Sequence, residues 1–436
     1  MMRICIETYG CALNQADSET MAGILEAAGF MIVTHVDEAD IVIINTCTVK
    51  ERTQWNFLTR LKELQREGRC YLIAGCIPSA MPDAAFLKGE SVIGVRALGG
   101  IVEAVKERRA GRQVIILDER AAFSQVNLPY KSRNEVIMIV PIAQGCLGLC
   151  TYCQTRFARG SLCSYPVEGI VHRVRQGLSD TIVKEIWLTA QDTGAFGIDS
   201  NSSLLDLISA LLALDGDFRI RLGMANPEHV LPILDPLLEL FTDNRLYKFL
   251  HLPLQSGSDP VLQAMGRKYS REDFMTIVNR IRRKFQEFSL ATDVIAGFPT
   301  ETEHDFSRTL SLLDEVRPAV INRSKYSPRP HTAAARLSPL PSSVVRERSR
   351  RLTEHVLSIS TRENQRWIGW HGPVLIDLQK QDDSLICRNF AYKPIILPLA
   401  TLPEPPRLGR IVEVSVIQSA TFHLLGSIIT SDNNIQ

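Results

Sequence analysis

Residues 144–153, QGCLGLCTYC, carry three cysteines at the spacing C-x3-C-x2-C: Cys146, Cys150 and Cys153. They follow an apolar run, 136–142, that is typical of a β-strand. Three thiolates in one short loop suit an iron–sulfur cluster, because thiolate is the usual protein ligand of such clusters. A cubane cluster has four irons, so one iron would lack a protein ligand and could bind a small molecule. The alternative is a structural zinc site, which usually needs a fourth protein ligand.

A second set of cysteines lies in the first hundred residues, each at the end of a predicted strand. The runs RICIETYGC, DIVIINTC and CYLIAGC alternate with helical stretches, a pattern typical of βαβ units and a parallel sheet. Ligands bind at the carboxyl edge of such sheets. We therefore expect Cys11, Cys47 and Cys76 to converge as a second three-thiolate site. The alternative is three separate buried thiols.

The strand–helix alternation resumes with longer units after residues 113–135, which we interpret as a linker. Six candidate strands with crossover helices predict a partial or complete α/β barrel, with an active site at the carboxyl ends of its strands. These strands are Val136–Ile142, Glu185–Ala190, Phe218–Met224, Lys248–Leu254, Leu290–Ile295 and Ala319–Lys325.

The C-terminal part changes to short β-runs. After a polar, Arg-rich helix over Ser342–Trp370, five runs between residues 371 and 430 predict a small antiparallel barrel of OB type. The fold class is therefore α/β, with an N-terminal parallel sheet domain, a central TIM-like barrel and a C-terminal β-barrel. The expected domain bounds are 1–112, 132–363 and 364–430.

Composition restricts the function classes. The 436 residues carry a net charge of only +1, so nucleic-acid contact must come from local patches. Residues 323–370 are such a patch, with ten Lys or Arg against three acids, although a solvated helix face is the alternative. We find no signal-peptide pattern and no run of about 18 apolar residues. We therefore expect a cytoplasmic protein without membrane contact.

The segment GCLGLCTYCQTRFARGSLCSYP resembles radical S-adenosylmethionine (SAM) enzymes, and most of all the methylthiotransferases that modify threonylcarbamoyladenosine in tRNA. ETYGCALNQADSE, INTCTVKERT and AGC resemble the auxiliary-cluster domain of that family. HLPLQSGSDPVLQAMGRKY, TDVIAGFPTET and INRSKYSPRPHTAAA resemble its barrel, and the tail resembles its RNA-binding TRAM domain. The resemblance covers almost the whole chain, in order.

This resemblance implies two 4Fe–4S clusters and SAM as cofactors. Cys146, Cys150 and Cys153 match the cluster that binds SAM, and Cys11, Cys47 and Cys76 match an auxiliary cluster that handles sulfur. The implied SAM-binding residues are Tyr152, Gln191, Asp192, Pro253, Gln255, Ser256, Gly297, Phe298 and Pro299. The candidate RNA contacts are Arg156, Arg159, Arg323, Lys325, Arg329, Arg350 and Arg351.

The implied reaction adds a methylthio group to adenine C2 of N6-threonylcarbamoyladenosine at tRNA position 37. One SAM methylates sulfur at the auxiliary cluster, and a second is cleaved to a radical that attacks C2–H. The implied partners are that tRNA, a flavodoxin- or ferredoxin-type electron donor and a sulfur donor. Three alternatives stay open: the same chemistry on isopentenyladenosine or a ribosomal protein, a non-catalytic cluster protein that binds RNA, and a zinc-stabilised scaffold.

Two positions depart from the family pattern. His331 stands where the family usually has glycine, and Cys163 stands where it more often has a basic residue. We interpret His331 as a turn residue, and Cys163 as a position that loses a phosphate contact or gains an oxidation-prone thiol.

Overall fold

The computed structural model describes residues 1–49, 51–118, 125–180, 182–380, 384–399 and 407–429. In chain order they form a parallel sheet domain, a partial α/β barrel and a closed β-barrel, which confirms the predicted fold class. Residues 119–124 of the predicted linker and residue 430 at the end of the third domain lie outside the described residues. Among the described helices, none has both the length and the apolar character needed to span a bilayer.

The N-terminal domain is a six-stranded parallel sheet in the order β2-β1-β3-β4-β5-β6. Its strands are β1 (Arg3–Thr8), β2 (Met31–Val33), β3 (Ile41–Thr46), β4 (Tyr71–Gly75), β5 (Val92–Arg96) and β6 (Ile115–Asp118). Its helices are α1 (Ala12–Ala27), α2 (Glu51–Arg66), α3 (Cys76–Ala80) and α4 (Ile101–Arg109). The prediction of a linker over 113–135 was wrong for β6, which pairs with β5 and extends the domain past residue 112.

Helices cover both faces of this sheet. Ile41 and Ile43 of β3 pack in a core with α1 and α4, whereas Val42 and Ile44 pack in a second core with α2 and α3. Successive side chains of a strand point to opposite faces, so a strand buried on both sides needs an unbroken apolar run. The run IVII in β3 meets that requirement.

In the described residues, the central domain contains six parallel strands and one short antiparallel pair, β8 with β9. Its strands are β7 (Ile137–Pro141), β8 (Ala143–Gln144), β9 (Cys163–Ser164), β10 (Glu185–Thr189), β11 (Arg219–Leu222), β12 (Phe249–His251), β13 (Ser289–Ala296) and β14 (Val320–Lys325). The first three helices are α5 (Thr155–Arg159), α6 (Val167–Asp180) and α7 (Leu204–Leu212). The others are α8 (Pro227–Val230), α9 (Leu234–Leu240), α10 (Asp259–Ala264), α11 (Arg271–Lys284), α12 (Glu303–Val316) and α13 (Ser342–Gln365).

The barrel is partial. Parallel pairing gives β7-β10-β11 and β12-β13-β14, and single bridges such as Met224–His251 connect the two halves. In the described part of the chain, no pairing joins β14 to β7. Helix α1 of the first domain packs on β7, where Ala16 contacts Ile137 and Ile139. The N-terminal domain therefore covers part of the barrel sheet.

The C-terminal domain is a closed five-stranded barrel in the order β15-β16-β17-β19-β18. Its strands are β15 (His371–Gln379), β16 (Ser384–Arg388), β17 (Pro394–Pro398), β18 (Ile411–Ser419) and β19 (Leu424–Ile428). This closed barrel confirms the predicted small β-barrel, although one pair, β17 with β19, is parallel rather than antiparallel. Tyr392 of this domain packs on Tyr247 and Phe249, with ring centroids 4.9 and 5.1 Å apart, and so attaches it to the central barrel.

A buried carboxyl lies where α1 meets the central domain. One oxygen of Glu19 accepts the backbone N–H of Arg133 at 3.2 Å, and the other has no hydrogen-bond partner. Burial raises the pKa of Glu19 from 4.5 to about 7, against the hydrogen bond from Arg133 and the charge of Arg173. The folded protein therefore binds a proton here that the unfolded chain releases at lower pH.

We expect unfolding free energy to fall between pH 4.5 and 7 because of Glu19. Its folded pKa lies above its unfolded pKa, so stability is present below the unfolded pKa and is lost as pH rises through the folded one. A shift of this size corresponds to about 3 kcal/mol. Glu19→Gln should flatten that part of the curve, measured by urea unfolding of the iron-free protein.

The matched control is Glu26→Gln, an exposed carboxylate on the same helix that pairs with Lys131. It should leave the slope in place. Parallel curves for the wild type and Glu19→Gln would contradict the assignment.

Candidate active site

The loop with the spacing C-x3-C-x2-C follows β7 and the short strand β8, and its shape depends on glycine. Gly145 has a φ of 76°, and a Cβ at this position would lie 1.9 Å from the carbonyl oxygen of Ser161. Only glycine permits so close an approach of two backbone segments. Backbone N–H groups two residues further along donate to the thiols of Cys146 and Cys153, at 3.2 and 3.4 Å. The backbone of the loop therefore surrounds the sulfur atoms of Cys146 and Cys153.

Burial raises the pKa of Cys146 and of Cys150. It raises the pKa of Cys146 to about 12, and Asp192 and the other two thiols of the loop contribute in the same direction. Burial also raises the pKa of Cys150, although the guanidinium of Arg267 opposes it. Because thiolate is the form that binds metal, loading a cationic centre here releases protons.

The other three cysteines converge near Asn14 of α1. The Sγ atoms of Cys11 and Cys76 lie 3.3 and 3.9 Å from the side-chain oxygen of Asn14. Burial, reinforced by the nearby thiols of Cys76 and Cys11, raises the pKa of Cys47 to about 12. Cys11, Cys47 and Cys76 come after β1, β3 and β4, which are neighbours in the sheet, and they lie close together as predicted. That they bind iron stays a prediction.

Neither set forms a site for one metal ion. Across the described ranges, no group of three or more His, Cys, Asp or Glu side chains is arranged to hold a metal ion directly. A zinc site gathers four ligands around one ion, whereas a cubane cluster binds each thiolate through a different iron. A donor set of three thiols, without a fourth ligand among the described residues, therefore fits a cluster better than zinc.

A cavity of about 840 Å³ lies between the two cysteine sets. Cys153 lines it directly, and so do Thr48 and Val49, the two residues after Cys47. The remaining lining comes from α2 and from the carboxyl ends of barrel strands: Glu51, Arg52, Trp55, Tyr152, Gln154, Thr155, Gln255, Asp293, Val294, Ile295, Arg323, Ser324, Lys325, Tyr326, Ser327 and Arg329. One thiol of the cysteine loop and the residues that follow Cys47 thus border the same cavity.

Arg329 lines the cavity between the two cysteine sets. Its side chain is buried and donates to the Gln54 side chain at 2.8 Å and to the Val49 carbonyl at 3.4 Å. Burial lowers its pKa, while the negative charge of Glu51, followed by the negative forms of Cys47 and Cys153, acts in the opposite direction. The predicted contact of Arg329 with RNA stays a prediction.

Arg159, by contrast, is not placed to contact RNA. It ends α5, directly after the cysteine loop, and is buried against the N-terminal domain. It donates to Asp17 at 2.5 Å and to Asn14 at 3.4 Å, and it makes the only salt bridge of the described residues in which both side chains are less than 3% exposed. A buried pair of this kind has no room for a phosphate.

Several predicted SAM-binding residues border the cysteine loop. Tyr152 accepts a hydrogen bond from Arg267 at 2.9 Å and lies edge-on to Phe298. Gln255 lines the cavity with a φ of 62°, an unusual conformation for a residue other than glycine. The side-chain oxygens of Gln191 and Gln255 are buried without a hydrogen-bond partner. Unsatisfied buried acceptors are rare, and they indicate a place where a ligand donates.

Other predicted residues support the site from behind. Asp192 is buried and accepts hydrogen bonds from Gly194, Asn226 and His229, so it fixes the loop after β10. The carbonyl of Pro253 accepts the hydroxyl of Tyr269 at 2.8 Å.

The turn after β13 is also held from within. The backbone N–H of Gly297 donates to Glu301, and a Cβ on Gly297 would lie 2.9 Å from Val345. Pro299 is half-buried in the same turn. The Ser256 hydroxyl contacts that of Thr309, and Phe298 is fully buried, so their contact with SAM stays a prediction.

Two polar groups escaped the sequence analysis. Arg267 is enclosed by Tyr152, Asn226 and the Cys150 thiol, and only its place in the quoted segment MGRKY marks it in the sequence. His251 contacts Asp293 at 2.9 Å at the cavity wall. Arg267 follows α10, His251 ends β12 and Asp293 lies on β13. Because they are far apart in the sequence, no local spacing indicates that they belong to the site.

The basic stretch 323–370 is less available than its composition suggests. Arg348 is buried against Glu301, Arg350 pairs with two acids of its own helix, and Arg351 pairs with Glu303. Arg156 is exposed, and Arg323 and Lys325 line the cavity. Only part of the predicted phosphate track therefore presents unpaired charge.

Comparison with known proteins places the chain in a family. Residues 3–95 match the family described as "Uncharacterized protein family UPF0004", and residues 140–313 match the Radical SAM superfamily. A protein of Pyrococcus horikoshii named "Probable threonylcarbamoyladenosine tRNA methylthiotransferase" is 42% identical over 432 residues, covering 99% of this chain and 100% of the relative. The chain belongs to the threonylcarbamoyladenosine tRNA methylthiotransferase family.

Eukaryotic members of this family align over the same length. The Homo sapiens threonylcarbamoyladenosine tRNA methylthiotransferase is 35% identical, with coverage of 98% of this chain and 74% of its own. The Drosophila melanogaster protein of that name is 36% identical, with coverage of 99% and 78%. The Radical SAM match implies SAM and a 4Fe–4S cluster as cofactors for this chain.

The solved structures share the fold. The radical SAM methyltransferase TsrM from Kitasatospora setae, solved with cobalamin and a [4Fe-4S] cluster, has a TM-score of 0.56 over 77% of both chains. Its sequence identity is 13%, so this likeness concerns the fold alone.

We expect Asp192→Asn to loosen the loop that holds His229. Burial lowers the pKa of His229, but the hydrogen bond and charge of Asp192 outweigh it and raise the net value. The amide carries no charge, so the His229 pKa should fall, measured by NMR titration of labelled histidines. SAM affinity should fall about tenfold, a loss of about 1.4 kcal/mol.

The control is Asp206→Asn on the exposed surface of α7. An unchanged His229 titration in Asp192→Asn would contradict the role of Asp192.

Proposed function

We propose that this protein is the methylthiotransferase of N6-threonylcarbamoyladenosine at tRNA position 37. It adds a methylthio group to adenine C2 with the help of SAM and two 4Fe–4S clusters. The observation that carries the proposal is the shared cavity, which Cys153 borders on one side and the residues after Cys47 border on the other. The names and the near-complete coverage of the relatives support the substrate.

The residues that would hold the cofactors are the two thiol sets. Cys146, Cys150 and Cys153 would hold the cluster that binds SAM, and Cys11, Cys47 and Cys76 would hold the auxiliary cluster. When bound, these groups supply a 5′-deoxyadenosyl radical and the transferable methylthio sulfur. Such chemistry suits adenine C2, whose hydrogen is not acidic enough for a general base.

The protein's own residues position the reactants and exclude water. Tyr152 is fixed by Arg267 and Phe298, so its ring forms a rigid wall of the cavity beside Cys153. The free side-chain oxygens of Gln191 and Gln255 offer acceptors to a ligand with N–H or O–H groups. Holding the target atom within reach of both thiol sets replaces a collision among three partners with one bound geometry.

The charge of the cavity favours the threonylcarbamoyl substrate over isopentenyladenosine. Arg52, Arg323 and Lys325 line its wall, and neither Arg52 nor Lys325 makes a salt bridge within the described residues. The threonyl group carries a carboxylate, whereas an isopentenyl group is apolar and leaves these cations without a counter-charge.

A basic groove of about 610 Å³ continues from the same residues toward the third domain. We define it by Arg52, Arg323, Lys325, Thr353 and Phe422, which line it together with β14. Phe422 is 59% exposed, and an exposed ring beside cations is typical of single-stranded RNA contact. We propose that the anticodon arm follows this groove into the cavity.

Further partners belong to the proposal. Reduction of the clusters needs an electron donor of the flavodoxin or ferredoxin type, and the methylthio group needs a sulfur donor. We place the reaction in the cytoplasm.

The function is tested in a strain that lacks the gene. Its tRNA should contain threonylcarbamoyladenosine but not the 2-methylthio derivative, measured by mass spectrometry of nucleosides. The wild-type gene should restore the derivative and Cys47→Ala should not. Persistence of the derivative in the deletion strain would exclude this substrate.

Purified protein separates the two cysteine sets. Anaerobic reconstitution should give about eight irons per chain in the wild type and about four in Cys47→Ala. Cys47→Ala should still cleave SAM to 5′-deoxyadenosine, and Cys150→Ala should not. Equal cleavage by the wild type and Cys150→Ala would instead favour a non-catalytic RNA-binding protein.

The basic groove predicts a salt-dependent affinity for tRNA. Arg52→Gln and Lys325→Gln should each reduce by about one the slope of log affinity against log salt, because each removes one phosphate contact. Arg350→Gln is the matched control, since Glu347 and Glu354 already neutralise that charge. An equal effect of all three variants would contradict the groove.

A further inference from the structure

Arg159 has a hydrogen-bonding capacity that its known contacts do not use. One terminal nitrogen, Nη2, donates to Asp17 and Asn14. The other, Nη1, is buried without any hydrogen-bond partner. A buried N–H without an acceptor is costly, so this nitrogen marks a position where an acceptor is missing.

The unpartnered nitrogen belongs to a guanidinium beside the auxiliary thiols. Asn14, which Arg159 contacts, lies within hydrogen-bonding range of both Cys11 and Cys76. A guanidinium one side chain away from these two sulfur atoms favours negative charge on them.

The arginine belongs to the other domain. Helix α5 follows the cysteine loop of the barrel and packs against α3, which begins at Cys76. A residue six positions after Cys153 thus supplies a cation to the thiol set of the first domain. The cysteine loop has its own buried cation in Arg267, which faces Cys150.

We propose that Arg159 is a positioning residue that donates a charge-assisted hydrogen bond to sulfur of the auxiliary cluster and raises its reduction potential. Hydrogen bonds to sulfur stabilise the more negative, reduced state of an iron–sulfur cluster. The inference rests on the proposed function, since it requires a cluster at Cys11, Cys47 and Cys76. It assigns to Arg159 a role in the seam between domains instead of the predicted contact with RNA.

The test is a redox titration of the auxiliary cluster, followed by electron paramagnetic resonance in full-length Cys150→Ala protein. Arg159→Lys should shift the midpoint to a more negative potential, because lysine keeps a charge for Asp17 but lacks the second planar donor. Asp17→Asn weakens the same seam yet leaves Arg159 in place, and it should not lower the potential.

Four outcomes decide the inference. A more negative midpoint in Arg159→Lys but not in Asp17→Asn supports it. The same shift, or the same loss of iron, in both variants would show that Arg159 only stabilises the contact between the two domains. An unchanged midpoint would also overturn the inference. Absence of iron at this set in Cys150→Ala itself would refute the second cluster of the proposed function, and the inference with it.

An activity-independent control uses the other arginine. Arg267→Lys should leave the auxiliary midpoint unchanged in the Cys150→Ala background. In Cys47→Ala protein, where only the loop cluster remains, it should shift the midpoint of that cluster. A shift of the auxiliary midpoint by Arg267→Lys would show that the effect is not local and would overturn the assignment to Arg159.

Discussion

The packing of α5 on α3, closed by the buried ion pair of Arg159 and Asp17, determines the geometry of the whole site. Helix α5 continues the loop that carries Cys153, and α3 begins at Cys76. These helices therefore join the two thiol sets through a few residues of rigid backbone. A loop alone would leave their separation free to vary. Removing either charge would leave the other buried and unpaired, which is far costlier than the small net benefit of the intact pair.

Burial disfavours the thiolate form of the cysteines, and nearby arginine side chains offset this effect. Thiols in the seam have pKa values raised to about 12, so as isolated groups they would stay protonated at neutral pH. Binding to iron requires thiolates, and each added negative charge in a poorly solvated place needs compensation. Arg159 supplies it from α5, and Arg267 and Arg329 supply it from the loops after α10 and β14. The guanidinium is suited to this because it stays charged when buried and has several donors in a fixed plane.

The sequence predicted where the strand-end cysteines lie but not which arginines are buried, and the reason is physical. Cys11, Cys47 and Cys76 each follow a parallel strand, and topology alone brings strand ends together. The charge of an arginine says nothing about its burial, so Arg159 looked like a phosphate contact. Strand β6 was missed because IILD is short and lies at the sheet edge. Neighbouring residues also separate: Gln255 faces the cavity with a positive φ, whereas the hydroxyl of Ser256 turns toward α12.

The departure at His331 shows which family preferences concern backbone and which concern chemistry. His331 has a φ of 67°, a left-handed conformation that costs a non-glycine residue about 1 kcal/mol. The glycine usual in the family avoids that cost, so the preference is explained by conformation alone. The exposed imidazole packs near Phe157, with ring centroids 6.4 Å apart, and does not line the cavity. Arg329, two positions before His331, does line it and contacts Gln54 and Val49. The substitution thus affects stability at the rim and leaves the seam between the thiol sets intact.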